Sequence, residues 1–211
     1  MKIALDRFYP IIDSGLRGKA GVDPTDLARA LVSAGARLVQ YRHKGLYTRE
    51  AYEQAKAIGR IVQEHGAHYI INDRADVALM LNADGVHIGQ QDLPPAAVRE
   101  IAGDKLWIGL STHNEEQLNA GGREPVDYLA IGPIFGTGSK ENPDPVVGVE
   151  ELRRLSGVAA KPLVAIGGIT RERARLVLNA GADSLAILSD LVGEDLRARA
   201  QEWVRLTANL P

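Results

Sequence analysis

Apolar residues in this chain come in short runs separated by segments of helical period. Eight runs have strand length: FYPIID (8–13), RLVQYR (37–42), HYIIND (68–73), GVHIG (85–89), LWIGLS (106–111), DYLAIGP (127–133), PLVAIGG (162–168) and SLAILS (184–189). Between them, apolar positions recur every three or four residues, as on a helix with one buried face. The segment ends carry matching signals. Asp23-Pro24 offers an N-cap and a first-turn proline before LARALVSA, and Gly35 stands where a left-handed terminating residue belongs. Thr48 precedes REAYEQAKAIGRIVQEH, closed by Gly66; Pro94-Pro95 opens AAVREIA before Gly103; Thr170 precedes RERARLVLNA before Gly181. A short helical segment fits between HYII and GVHIG. The segment EDLRARAQEWVRL is spaced to cover a surface.

The helix exits repeat. SAGARLVQ, LNADGVHI and NAGADSLAI each lead through small residues into an apolar run, and EPVDYLAI is a looser fourth copy. Reuse of one unit is the sequence mark of a repeat architecture. Strands apolar on both faces, alternating with helices, make a parallel sheet covered by helices. Eight units in 211 residues average about 26 residues each, near the lower end for a closed (β/α)8 barrel. An open doubly wound sheet usually has fewer strands and a glycine-rich first turn, and FYPIIDSGLRG lacks the G-x-G-x-x-G spacing. The expected class is therefore α/β: a parallel eight-stranded TIM barrel, with residues 1–211 forming a single domain.

Chemistry in such barrels gathers at the carboxyl ends of the strands. The second strand end would present Gln40, Arg42 and Lys44, the third Asn72 and Asp73, and the fourth Gln90, Gln91 and Asp92. The fifth adds Ser111 and His113, the sixth the loop FGTGSKENPDP, the seventh Gly167-Gly168 and the eighth Ser189. Composition narrows the partners. A formal charge of −2, from 27 acidic and 25 basic residues, exerts no global pull on nucleic acid or anionic lipid, so anions must be held by local clusters. With no cysteine there is no disulfide framework, thiolate nucleophile or zinc-thiolate site. MKIALDRFYP meets Asp6 before a signal-peptide core develops, and no run of about 18 apolar residues occurs. No membrane span is expected, and the expected location is the cytoplasm.

Three constellations carry the candidate chemistry. Asp73 and Asp92 each follow a short strand, and either could simply cap the next helix. Together, with Arg42, Lys44 and Lys140 on neighbouring strand ends, they fit a metal–diphosphate site better, because Mg²⁺ takes one or two protein carboxylates plus phosphate oxygens and waters. Gly136-Thr137-Gly138-Ser139-Lys140 combines backbone donors, hydroxyls and a lysine for an anion, though a solvated turn has the same composition. Gly167-Gly168, the helix start near Thr170, and Ser189 occupy the loops that commonly hold a phosphate monoester in this fold. The plainer account is a tight Gly-Gly turn and a serine capping the last helix. Among the five histidines, His65 and His68 suit surface or core, His43 the rim or solvent, and His87 interior packing. His113, just past the fifth strand, is the candidate acid/base.

With these residues assembled, the chain resembles the thiamine-phosphate synthase family over nearly its whole length. The matching stretches are VQYRHK (39–44), IINDR (70–74), GVHIGQQDLP (85–94), GLSTH (109–113), GPIFGTGSK (132–140), AIGGI (165–169) and AGADSLAILS (180–189). The resemblance implies a (β/α)8 barrel transferase that joins hydroxymethylpyrimidine diphosphate to thiazole phosphate and releases diphosphate with Mg²⁺. By matching position, Arg42, Lys44, Asn72 and Lys140 would hold the diphosphate, and Asp73 and Asp92 the Mg²⁺. Gln40 and Ser111 would lie beside the pyrimidine and its leaving group. Thr137, Ser139, Gly168, Leu188 and Ser189 would take the thiazole phosphate. Catalysis would fall to Ser111, Lys140, Arg42 and Lys44. The partners implied are these two small molecules, with homo-oligomerisation left open. His43 stands where the family usually has an acid, PIIDSG replaces an ITD pattern, and Gly-Thr-Gly-Ser replaces Thr-x-Thr. The alternatives are a thiazole tautomerase using His113, and a barrel that binds thiamine precursors without turnover. A sugar-phosphate epimerase would need His and Asp metal ligands on several strand ends.

Overall fold

The computed structural model describes residues 5–136 and 144–209. Eight parallel strands close into a barrel in sequence order: β1 (Phe8–Asp13), β2 (Leu38–Arg42), β3 (His68–Asn72), β4 (Gly85–Ile88), β5 (Trp107–Thr112), β6 (Tyr128–Ile131), β7 (Leu163–Ile166) and β8 (Ser184–Ile187). Each of the eight apolar runs supplies one strand. The β1–β8 pairing, Phe8 with Leu185 through Pro10 with Ile187, closes the ring.

The described helices are α1 (Leu16–Ala20), α2 (Pro24–Ala34), α3 (Arg49–Glu64), α4 (Ala75–Met80), α5 (Pro95–Ala102), α6 (Glu115–Gly121), α7 (Val149–Ser156), α8 (Arg171–Asn179) and α9 (Leu196–Ala208). Two of the predicted caps form through a short side-chain oxygen, whereas Thr170 holds the cap position of α8 without a side-chain cap bond. Asp23 accepts from the Thr25 amide and Thr48 from the Ala51 amide. Gly35 takes a left-handed φ of 104°, and its N–H returns to Leu31 and Val32 carbonyls. The short α1 forms inside LRGKAG, a glycine-containing stretch apart from the helices read from periodicity. Among the described residues, no helix is long and apolar enough to cross a membrane.

Two apolar layers follow from strand alternation. One face of each strand joins the main core against the helices, with residues such as Ile12, Val39, Ile71, Val86, Leu129, Ala165 and Leu185. The other faces the barrel axis, where Tyr9, Ile11, Leu38, Ile70, Tyr128, Ala130, Val164 and Ala186 form a smaller cluster. Helix α9 seals the closure between β8 and β1. Trp203 is fully buried and stacks on Phe8 with ring centroids 5.6 Å apart.

The repeated helix exit has a physical cause. Asp84, Asp127 and Asp183 each stand one residue before an even strand and clamp the preceding odd strand. Their carboxylates accept from the amides of Tyr69 (2.8 Å), Ile108 (2.8 Å) and Leu163 (2.7 Å). Their own amides donate to the carbonyls of the same three residues. The β2 unit carries Arg37 in place of the aspartate and has no such clamp. Asp183→Ala leaves the Leu163 amide without its acceptor and is expected to lower stability by about 1–3 kcal/mol. Asp183→Asn keeps an acceptor and should recover most of the loss. Urea unfolding checks this, and equal midpoints for the two variants would contradict the clamp.

Candidate active site

Alternation along the strands decides which polar residues reach the barrel mouth. On β1, Tyr9 and Ile11 face the axis, so Asp13 does too; on β2 the same column runs through Leu38 to Gln40 and Arg42. Asn72 follows Ile70 on β3 and pairs in register with His87 on β4. Ser111 follows Gly109 on β5. Each of these strands is apolar near its start and polar near its end, and the polar ends share one rim.

At the β1–β3 side of that rim two cations meet two carboxylates. The Arg42 guanidinium is ion-paired with Asp13, whose other oxygen accepts from the Gly15 amide. Lys44 Nζ lies 2.6 Å from Asp73 Oδ2. Asp73 has a φ of +65°, a left-handed conformation uncommon outside glycine, which asparagine and aspartate tolerate best. Its amide donates to the His87 carbonyl at 2.7 Å, so the strand ends on a fixed reversal. Burial raises the Asp73 carboxyl above its ordinary value; Lys44 opposes that rise and the neighbouring Asp92 carboxylate adds to it. Asp92 Oδ2 accepts from the Gly89 amide at 2.7 Å.

Neither carboxylate is a helix cap, which corrects the plainer reading that either could simply cap the next helix. Arg74 holds the cap position of α4 and Pro94 that of α5, both without a side-chain cap bond. The reversal at Asp73 turns its carboxylate to Lys44, and the Asp92 carboxylate closes its own turn back to Gly89. Asn72 is 6% exposed, and its Nδ2 has no hydrogen-bond partner among the described residues. Tyr47 Oη is the other buried side-chain polar atom without a partner among the described residues. Among those residues no group of three or more His, Cys, Asp or Glu could hold a metal by itself. The donor set at the rim is thus two hard carboxylates, which suits an ion completed by ligand oxygens and water.

Beneath the rim the barrel interior is polar where packing alone was expected. His87 is buried, with Nδ1 3.0 Å from Tyr128 Oη and Nε2 2.9 Å from Ser111 Oγ. Gln40 Nε2 donates to Tyr9 Oη at 2.8 Å, and the two tyrosine hydroxyls are 2.8 Å apart. Burial pushes the His87 imidazole down to about 4, with Lys44 adding to the fall and Asp92 opposing it. Burial raises both tyrosines above their ordinary range, so both keep their protons. Alternation plus a histidine or tyrosine on an inward position was the available signal for these three residues. Asp13 was equally legible as the last residue of its strand.

The remaining candidates divide. Gly167 and Gly168 both have positive φ, 98° and 63°, and pack against the β6 exit, where the Phe135 amide donates to Gly167 O at 3.0 Å. A Cβ at Gly168 would lie 2.7 Å from Gly136 O, so only glycine fits there. Leu188 leads into a 3-10 turn at Ser189–Leu191. Ser189 does not cap the last helix: Asp195 does, accepting from the Ala198 amide at 2.9 Å. The Ser189 turn is instead held by Asp190, which accepts from Arg171, Arg199 and Trp203. His113 Nδ1 donates to the Gly132 carbonyl at 2.6 Å and lies 3.5 Å from Asp144, bracing the β6 exit. His43 bonds Ser14 Oγ and Leu46 O at the rim. Gln90 donates to the Ser111 carbonyl at 2.7 Å. Thr137, Ser139 and Lys140 lie outside the described residues.

A closed eight-stranded α/β barrel with a rim of paired charges at the strand ends is a TIM-barrel enzyme. The family model described as thiamine monophosphate synthase matches residues 8–191. A thiamine-phosphate synthase of Koribacter versatilis is 45% identical over 206 residues, 97% of each chain. That of Chloroflexus aurantiacus is 39% identical over 197 residues, 93% of this chain and 90% of the other. The solved structure of a thiamine phosphate pyrophosphorylase from Pyrococcus furiosus superposes with a TM-score of 0.86 at 33% identity, covering 96% of both chains. The chain belongs to the thiamine-phosphate synthase family.

The buried imidazole gives a stability signature. Unfolded, His87 takes a proton near 6.5; folded, only near 4. Between those values the unfolded state binds the extra proton, so acidification favours unfolding. The contribution is complete above pH 6.5 and is lost by about pH 4, roughly 3 kcal/mol in all. In metal-free buffer, the fall in unfolding free energy across this window should be shallower in His87→Gln by about that amount. Parallel pH curves for the two proteins would show that His87 titrates normally.

Proposed function

We propose that this chain is a thiamine-phosphate synthase that joins hydroxymethylpyrimidine diphosphate to thiazole phosphate, releasing diphosphate, in thiamine biosynthesis. The observation that carries the proposal is the buried, unpartnered Nδ2 of Asn72 beside the Lys44–Asp73 pair. An unpaired buried donor costs roughly 1–3 kcal/mol, and a diphosphate oxygen would satisfy it. Family membership supplies the chemistry that brings such an oxygen to the rim.

The roles are those the family resemblance implies, and the rim geometry supports those of the residues on β2 to β4. Asn72, Arg42 and Lys44 bind the diphosphate, joined by Lys140. Arg42 and Lys44 each already carry a carboxylate partner, so each can share its charge between that partner and an incoming phosphate. Asp73 and Asp92 would hold Mg²⁺, and their donor set fits it. Two carboxylates stand close enough for one to raise the other, Lys44 offsets them in part, and a divalent cation relieves the remaining repulsion. When bound, the ion supplies charge to stabilise the departing diphosphate.

Gln40 and Ser111 lie under the pyrimidine and its leaving group. Thr137, Ser139, Gly168, Leu188 and Ser189 take the thiazole phosphate. The aminopyrimidine delocalises positive charge at its exocyclic methylene as the C–O bond to diphosphate breaks. The thiazole nitrogen then forms the new C–N bond. The chain's part is alignment of the two substrates and electrostatic stabilisation of the leaving anion, with no protein nucleophile required. A thiazole tautomerase would leave Asn72, Asp73 and Asp92 without a role.

Incubation with both phosphorylated precursors and Mg²⁺ should give a product that oxidises to fluorescent thiochrome. Thiazole isomerisation without thiochrome would overturn the assignment. Asp73→Asn is the sharpest variant, because asparagine tolerates the left-handed backbone and removes only the charge. It and Asp92→Asn should each lower kcat/KM by about a hundredfold, with stability within about 1 kcal/mol of the unsubstituted protein. Full activity in either folded variant would remove that carboxylate from the site.

A further inference from the structure

Four hydrogen bonds cross the barrel interior beneath the rim in one unbroken line. It runs from Gln40 through Tyr9, Tyr128 and His87 to Ser111. Both ends are residues placed above against the pyrimidine diphosphate, so the inference rests on that reading.

Counting hydrogens orders the line. Each contact needs one hydrogen, each phenol carries one O–H, and a neutral imidazole carries one N–H. The three interior groups thus supply three hydrogens for four contacts, and the fourth must come from an end. If Gln40 donates, Tyr9 passes its hydrogen to Tyr128 and Tyr128 passes its own to His87 Nδ1. His87 Nε2–H then points at Ser111, whose own hydrogen is left for a partner outside the line. If Ser111 donates instead, every bond reverses, Gln40 must turn its carbonyl to Tyr9, and Ser111 faces the site only as an acceptor. Gln40 presents its amide nitrogen to Tyr9, which selects the first arrangement.

The strand register keeps the middle of the line intact. His87 pairs with Gly109, and Gly109 pairs with Tyr128. A Cβ at Gly109 would collide with the Tyr128 ring and hydroxyl and press on His87 Nδ1. Because that position has no side chain, the two rings meet across it, stacked with centroids 5.5 Å apart. We infer that the line sets the direction of Ser111: Tyr128 holds His87 in its Nε2–H tautomer, which makes Ser111 a hydrogen-bond donor toward the departing diphosphate. His87 and Tyr128 are positioning residues, and Ser111 alone touches the substrate at that end. At the other end, Gln40 keeps its carbonyl oxygen and a second N–H, the complement of the amidine edge of an aminopyrimidine. A substrate presenting that edge therefore also fixes the polarity of the line.

Two-bond ¹⁵N–¹H correlation spectra of protein labelled in its histidines report the tautomer of each imidazole. The His87 signal, assigned by its loss in His87→Gln, is expected to show a bare Nδ1 and a protonated Nε2. Tyr128→Phe keeps the ring and removes the donor. It should abolish that tautomer preference and lower kcat roughly tenfold, leaving KM for the thiazole phosphate within about twofold. Tyr9→Phe, one link further back, should act in the same direction more weakly. His87 found as Nδ1–H in the unsubstituted protein overturns the inference, as does a Tyr128→Phe protein with unchanged tautomer and kcat. The spectra need no turnover, so failure of the assigned reaction would show in the thiochrome assay while the tautomer result stood.

Discussion

A strand in a closed parallel barrel has only two faces, and every residue belongs to one of them. Outward positions must pack on helices, so they are apolar almost to the strand's end; the exception on β5, Thr112, is buried and donates its hydroxyl to Ala130 O. Inward positions have that demand only in the lower layers, where Tyr9, Leu38, Ile70 and Val164 fill the axis. Above that layer the inward column opens to the mouth, and there the chain places Asp13, Gln40, Arg42, Asn72, His87 and Ser111. The strand-borne part of the site is the set of inward positions that the core does not need, and Lys44, Asp73 and Asp92 join it from the loops just beyond the strand ends. Its composition could change without disturbing the outward layer, which is why one fold can carry this chemistry on a scaffold also used by unrelated enzymes.

Polar groups at that depth must be paired, and nearly all are. Arg42 has Asp13, Lys44 has Asp73, and the inner line from Gln40 to Ser111 satisfies itself link by link. Asn72 stands out against this background because its amide has been brought into the same layer without a partner. The same accounting explains the backbone at Asp73. A left-handed residue at a strand end is strained, and here it aims the carboxylate at Lys44 and away from the helix that follows.

Much of this was legible in the residues. The apolar runs located all eight strands, and the repeated helix exit reported the aspartate clamps before β4, β6 and β8. Strand-end position selected Gln40, Arg42, Lys44, Asn72, Asp73, Asp92 and Ser111, all of which lie at the rim or one layer below it. Periodicity alone did not separate the roles of inward polar residues. His87 reads as packing until its ring is seen between Tyr128 and Ser111, and Tyr9 and Tyr128 look like core aromatics. Such bonds join residues 41 and 119 positions apart, and local patterning carries no trace of them. The helix-cap reading of Asp73 and Asp92 failed for a local reason. Capping needs an extended residue directly before the helix, and Arg74 and Pro94 hold those positions.

In the proposed site, Asp73, Asp92 and Asn72 form one receptor for a metal–diphosphate unit. Isothermal titration of inorganic diphosphate with and without Mg²⁺ tests it without requiring turnover. Linkage requires that each ligand tighten the other if both contact the same site. Weak diphosphate binding alone, markedly tighter binding with Mg²⁺, and loss of that enhancement in Asp73→Asn are expected. Equal diphosphate affinity with and without Mg²⁺, or an enhancement that survives the substitution, would contradict a single receptor.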